Sequence, residues 1–209
     1  MDGNGRWAQS RGLARLAGHR QGVEAIRRVV RAAPGLAISD LSLYAFSSDN
    51  WRRPPEECAG ILAMIAEFAM QDAPELVAQG VRLTFVGRRD RLPGMVAAAM
   101  LGAEVATVTG RRMHLRVAVD YSSRDALLEA AHARPRSRED IERSLACPGV
   151  DLLIRTGGEQ RLSDFLLWEC AYAELAFVPK LWPDYTAADL ASAVADFQAR
   201  SRRFGAVSA

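Results

Sequence analysis

Two short segments of this chain combine glycine, arginine and an acid or hydroxyl in a way that suits an anion. Near the amino end stand Asp2, Gly3, Asn4, Gly5, Arg6 and Trp7, ahead of a predicted helix. Glycines let backbone N–H groups approach phosphate oxygens, a helix N-terminus adds a favourable dipole, and Arg6 offers a charged fork. Taken alone, these six residues are better described as a flexible polar terminus. Farther along, Arg155, Thr156, Gly157, Gly158, Glu159, Gln160, Arg161, Leu162 and Ser163 repeat the logic after a predicted strand. Here a second anion pocket and an ordinary turn with solvated arginines weigh evenly. Two such segments in one chain shift the balance toward anion binding. Neither contains GxxxxGK[ST], so phosphoryl transfer from a nucleoside triphosphate has no direct support.

The anion sites have to be local, because the chain as a whole is nearly neutral: 27 Lys plus Arg against 25 Asp plus Glu leave a formal charge of +2. That gives no global argument for nucleic acid, and none is expected as a partner. Three cysteines, Cys58, Cys147 and Cys170, are odd in number and lack a CxxC pair, which argues against a disulfide framework or thiolate metal cluster and predicts a reducing cytoplasm. No apolar run approaches the roughly 20 residues of a spanning helix. With 209 residues and 49% apolar composition, one globular domain with a substantial core is expected.

The elements that must position these residues alternate. Val23, Ile26, Val29 and Val30 predict an amphipathic helix after Gly18 that stops near Pro34, and Leu41, Leu43, Tyr44 and Phe46 predict a buried strand opening into the polar cluster at 47–50. Pro54 and Pro55 suit a first helical turn, followed by Ile61, Leu62, Ile65 and Phe68 at helical spacing until Gly80. Further strands are predicted over 81–86, 113–119, 150–154 and 175–178. Helices are predicted over 95–108, from Ser122 or Ser123, from Ser137 with Asp140 as an acidic capping-box partner, over 165–170, and over 186–204. Such alternation predicts an α/β fold, a mainly parallel central sheet covered by helices on both faces. Ligands then gather beyond the carboxyl ends of the strands, where the polar segments 47–50, 87–90, 120–124 and 155–159 fall.

Several segments together resemble the cis-prenyltransferases, the undecaprenyl diphosphate synthase or isoprenyl transferase family. The carriers are MDGNGRWA at 1–8, GHRQG at 18–22, LYAFSSDNWRRP at 43–54, IRTGGEQRLSDFLLW at 154–168 and AYAEL at 171–175, in order along nearly the whole chain. No DDxxD box of the trans-acting synthases is present. The resemblance implies condensation of isopentenyl diphosphate with an allylic prenyl diphosphate, with Mg2+ as cofactor. It implies that Asp2 holds the magnesium with help from Glu174, that Gly3, Asn4, Gly5, Arg6, Arg15 and His19 clasp the allylic diphosphate with Trp7 nearby, and that isopentenyl diphosphate lies on Arg155, Arg161, Leu162 and Ser163. Asn50 falls where the family places a residue assisting proton removal, supported by Ser47, Ser48, Asp49, Trp51 and Arg53. Ile61, Ile65, Phe68 and Met113 read first as core and second as lining of an apolar product tunnel.

The chain also departs from the pattern. Family members carry an apolar strand immediately ahead of MDGN, so the resemblance implies a single domain over 1–209 without that strand, and a start placed late. The usual glycine pair after tyrosine is Ser122 and Ser123, which keeps open a short-chain or irregular synthase. Arg203, Phe204 and Gly205 match a tail that reaches the partner's site in family dimers, so a homodimer is expected, with peripheral membrane contact for long products. The rival from another class is a non-catalytic partner subunit; Asp2, Asn50, Arg155 and Glu174 speak against it.

Overall fold

In the computed structural model, which describes residues 1–202, the chain runs through α1 (Asn4–Gln9), α2 (Arg15–Ala32), β1 (Asp40–Ser47), α3 (Pro55–Ala78), β2 (Val81–Val86), α4 (Gly94–Thr107) and β3 (Met113–Tyr121). It continues through α5 (Ser123–His132), α6 (Arg138–Ser144), β4 (Leu152–Arg155), β5 (Glu174–Phe177) and α7 (Ala187–Gln198), with a 3-10 turn at Ser48–Arg52 after β1 and another at Trp182–Asp184 before α7. Every strand pair is parallel, as crossover helices require. The strands form two ladders: β1-β3-β2 and β4-β5. Each of β1 and β4 has one edge outside its ladder, and both line the same cavity.

Side-chain alternation along β3 divides the core. Met113, Leu115, Val117 and Val119 enter the larger cluster with α2, α3 and α4. Ala118 and Tyr121 join a smaller one with Cys147, Leu153, Leu166 and Cys170. Up to Val119 this is the period-2 geometry of a strand covered on both faces; Asp120, left-handed at φ 50°, breaks the alternation and puts Tyr121 in the second cluster. Phe46, Leu83 and Leu115 are fully buried, each stabilising the fold by about 2–3 kcal/mol relative to exposure.

Local chemistry sets several boundaries. Ser122 caps α5 by accepting from the Asp125 N–H, and Ser137 with Asp140 forms the expected box at α6. Gly18 lies inside α2, and a Cβ there would stand 1.9 Å from the Asn4 carbonyl oxygen, so only glycine admits the close packing of α1 on α2.

Two expectations fail. The helix predicted over 165–170 is absent: the stretch is a series of turns, with Ser163, Asp164 and Leu166 at φ of 52°, 62° and 47°. Left-handed residues end any right-handed helix, so leucine and aromatic spacing misread turns as a helix. The last helix stops at Gln198 rather than 204; Arg203, Phe204 and Gly205 lie outside the described residues.

Candidate active site

The amino-terminal turn and the end of β4 meet. The Asp2 N–H donates to Thr156 Oγ1 at 2.9 Å, the Thr156 hydroxyl donates back to the Asp2 carbonyl at 3.0 Å, and the Trp182 N–H donates to the same carbonyl at 2.9 Å. Held there, the Asp2 carboxylate stands between two guanidinium groups: Oδ2 is 3.0 Å from Arg155 Nη2 and Oδ1 is 3.2 Å from Arg6 Nη2. Burial alone would raise the Asp2 carboxyl; the Arg155 hydrogen bond, with the charges of Arg155 and Arg6, holds it below the usual carboxylate range. Arg155 also donates to Ser163 Oγ at 2.8 Å and to the Arg161 carbonyl, and its Nε is buried without a partner. Arg161 itself pairs with Glu159, whose other oxygen faces Arg6 at 3.9 Å. Gly157, at φ 88°, passes so close that a Cβ would meet Arg6 Nη2 at 2.6 Å. The two segments singled out by their glycines therefore form one pocket.

Beside it, two guanidinium groups and an imidazole converge on Glu57 at the first turn of α3. Arg15 Nε is 2.9 Å from Glu57 Oε2, His19 Nε2 is 3.2 Å from Oε1, and Arg53 Nη1 is 3.1 Å from Oε1. Burial opposes ionisation of Glu57, but hydrogen bonds from Arg15 and His19 and the charges of Arg15 and Arg53 hold its carboxyl low. Burial also pushes His19 below its ordinary value, with the Glu57 bond working against it, so the ring is neutral near pH 7. Arg15 lies over Gly5, where a Cβ would stand 2.5 Å from its Nη1. Sequence reasoning missed Glu57, although its place four residues after Arg53 on a predicted helix was a readable pairing signal.

The third group follows β1. The Ser47 N–H donates to Asn50 Oδ1 at 3.2 Å in a capping box, which leaves the Asn50 amide N–H groups for other partners. Trp51 packs edge-on against Phe46 at 5.2 Å and donates to the buried Asp120 at 2.9 Å, where Arg91 also binds. Ser48 lies in the 3-10 turn, and Asp49 pairs with Arg52 at the surface.

A cavity of about 900 Å3 joins the groups: Asp2, Asn4, His19, Ser47, Asn50, Arg53, Arg155, Arg161, Leu162 and Ser163 line it, with Ile61, Ile65 and Phe68 on its apolar side. Met113 does not line it and is plain core. Trp7 is turned to Asp184, its N–H donating at 2.7 Å. Glu174 is also elsewhere. It opens β5 opposite Leu152, three residues and roughly 10 Å from the Arg155 end, and pairs with Arg200 at 2.8 Å. Among the described residues no three His, Cys, Asp or Glu side chains could hold a metal ion. A single carboxylate supplemented by substrate phosphate oxygens is nevertheless a donor set that magnesium accepts, and Asp2 fits it.

Known proteins resemble this chain along nearly its whole length. The Prenyltransf family model, described as undecaprenyl diphosphate synthase, matches residues 1–205. Isoprenyl transferase 1 of Bradyrhizobium diazoefficiens is 52% identical over 217 residues, covering 100% of this chain and 88% of the relative. An isoprenyl transferase of Brucella abortus is 43% identical over 222 residues, covering 99% and 87%. Among solved structures, lavandulyl diphosphate synthase from Lavandula x intermedia, in complex with dimethylallyl diphosphate, superposes with a TM-score of 0.93 at 34% identity, covering 98% of this chain and 95% of that one. A probable undecaprenyl diphosphate synthase from Campylobacter jejuni gives 0.84 at 31% identity, covering 89% and 92%. An α/β frame with parallel ladders and similarity along essentially the full length agree: this chain belongs to the undecaprenyl diphosphate synthase family of prenyltransferases.

Proposed function

We propose that the protein joins isopentenyl diphosphate to an allylic prenyl diphosphate through a new Z double bond, with magnesium. The observation that carries this is that Asp2, Arg155, His19 and Arg53 line one cavity, with Arg6 bonded to Asp2 and Arg15 to the shared Glu57 without lining it themselves. The allylic diphosphate lies against Gly3, Asn4, Gly5, Arg6, Arg15 and His19; isopentenyl diphosphate lies on Arg155, Arg161 and Ser163. The carbon–oxygen bond of the allylic substrate breaks with its electron pair leaving on pyrophosphate. The terminal alkene carbon bonds to the allylic carbon, and the adjacent methylene loses a proton. Bound at Asp2 and the diphosphate oxygens, magnesium would supply neutralisation of the leaving group's charge. The guanidinium groups orient both diphosphates, which converts an encounter of two substrates into an intramolecular reaction. Asn50 is too weak a base to take the proton itself, so its free amide N–H groups orient a water or phosphate oxygen that does.

Incubation with magnesium, labelled isopentenyl diphosphate and farnesyl, geranyl or dimethylallyl diphosphate, followed by product sizing, tests this reading. Label enters a Z-configured product, and Asp2→Ala lowers turnover about a thousandfold, equivalent to about 4 kcal/mol of transition-state stabilisation. Near-normal turnover by that variant in folded protein would remove Asp2 from the chemistry. A second reading, coupling of two allylic diphosphates into an irregular product, is favoured by the TM-score of 0.93 to lavandulyl diphosphate synthase. It predicts product from dimethylallyl diphosphate alone, without the label. No product with any primer would leave a non-catalytic partner subunit. We also propose a cytoplasmic homodimer, for which the exposed Tyr172 and Leu175 beside β5 offer an apolar surface.

A further inference from the structure

We propose that Ser122 and Ser123 are positioning residues for the isopentenyl diphosphate pocket, acting through the turns at 163–167; this rests on the assignment of that substrate to Arg155, Arg161 and Ser163. Neither serine lines the cavity. Both are buried, at 7% and 1% exposure, where α5 begins behind the pocket.

The segment they touch is the one whose backbone is least able to hold itself. Ser163, Asp164 and Leu166 all have left-handed φ, a conformation that persists in non-glycine residues only when surroundings over-determine it. Neither a helix nor a strand ladder runs through 163–167 to do so. The constraint comes from the start of α5. Ser122 Oγ donates to Asp164 Oδ2 at 2.6 Å while accepting from the Asp125 N–H at 3.1 Å. The Ser123 N–H donates to the Asp164 carbonyl at 3.1 Å, its Oγ accepts from the Leu167 N–H at 2.9 Å, and the Arg124 N–H reaches Asp164 Oδ1 at 3.2 Å. Three of these bonds use serine hydroxyls, two of them reaching the 163–167 segment, and no residue without a side-chain oxygen could supply them.

What the brace fixes is the direction of Ser163. Its Oγ receives Arg155 Nη1 at 2.8 Å, and Arg155 also donates to the Arg161 carbonyl, so both guanidinium-bearing residues take their geometry from this turn. A rival constraint exists: Phe165 stacks on Tyr44 at 4.5 Å and meets Tyr121 edge-on at 6.1 Å. Those rings anchor the middle of the segment. They do not contact the Asp164 carboxylate, whose partners are Ser122, the Arg124 N–H and, more loosely, the Arg124 side chain at 4.0 Å.

The test uses the full chain with Ser122→Ala, Ser123→Ala, Asp164→Ala and the Ser122→Ala/Asp164→Ala pair. Steady-state KM for each substrate, calorimetric Kd for isopentenyl diphosphate and Tm are measured on each. Loss of an orienting partner is worth about tenfold or more at metal ligands, and a similar loss is expected here. KM and Kd for isopentenyl diphosphate rise about tenfold in Ser122→Ala, the allylic KM stays within twofold, and the paired variant binds isopentenyl diphosphate no worse than Asp164→Ala alone, because both changes remove the same Ser122–Asp164 bond. Isopentenyl diphosphate values within twofold of the parent would overturn the proposal. So would an equal rise for both substrates tracking a fall in Tm, which marks a merely structural role. Arg161→Ala and Ser163→Ala are the controls for the underlying assignment. If they too leave isopentenyl diphosphate binding unchanged, the pocket itself is misassigned; if they weaken it and the α5 variants do not, the brace alone fails.

Discussion

On the proposed assignment of substrates, Glu57 is the residue on which the allylic half of the site turns. Two guanidinium groups brought together without a counter-ion would repel one another, and a buried carboxylate that binds both of them and the neutral His19 ring fixes their spacing before substrate arrives. An incoming diphosphate then meets groups already oriented, paying for little rearrangement. Glu57→Gln keeps the shape and removes the charge, so the KM of the allylic substrate rises about tenfold while that of isopentenyl diphosphate changes less than twofold. Steady-state kinetics with each substrate varied in turn decide this, and equal effects on both would make Glu57 a general structural anchor. At this scale the sequence was partly legible. Asp2, Arg155, Arg161 and Ser163 are legible through the family resemblance rather than through their flanking glycines and arginines alone, and Asp2, Arg155 and Ser163 do converge. Glu57 stayed hidden because Arg15 and His19 reach it from a distant helix, and its single local cue resembled an ordinary surface pair. Glu174 was named with Asp2, and the register of β4 and β5 holds the two apart within the chain.

Elements were read best where hydrogen-bonding chemistry is local. The bounds of β2 and the caps at Ser122, Ser137 and Thr186 follow from turn glycines and serine or threonine oxygens. The division into two ladders depends on which strand edges meet, which periodicity does not encode. The turns at 163–167 depend on side chains far along the chain. Strand packing also sets a pH response. His114, at the start of β3, accepts or donates a 2.9 Å hydrogen bond with Thr84, and burial together with Arg116 and Arg82 depresses its pKa to about 4, against the opposing charge of Asp40. The unfolded chain binds this proton near pH 6.5 and the folded chain does not until about pH 4. Stability is therefore fully present above pH 6.5 and is lost as pH falls toward 4. His19, also depressed, adds to the same slope. Thermal melts between pH 7.5 and 5 should show Tm falling by several degrees, and His114→Gln should flatten that fall; an unchanged slope would remove His114 from the response.

For the molecule as a whole, the proposed reaction makes the extent of the cavity's apolar side the main functional variable. Phe68 on α3 stands at its wall and also borders a small void between α2 and α3, near Arg27, Leu76 and Asp72. Its ring is thus a partition between two spaces. Met113, in the same core cluster, is 2% exposed and lines neither space. Truncating each to alanine separates volume from stability. Phe68→Ala joins the two spaces, and the product distribution shifts to chains longer by at least one isoprene unit. Met113→Ala leaves a closed hole, lowers stability by about 2–5 kcal/mol and keeps the distribution of the parent. Chromatographic sizing of labelled products, alongside denaturant titration, measures both. The stability loss on its own cannot lengthen a product, so the two variants form an internal control: a shift in Met113→Ala with none in Phe68→Ala would move the growing chain's path away from α3 and toward the start of β3.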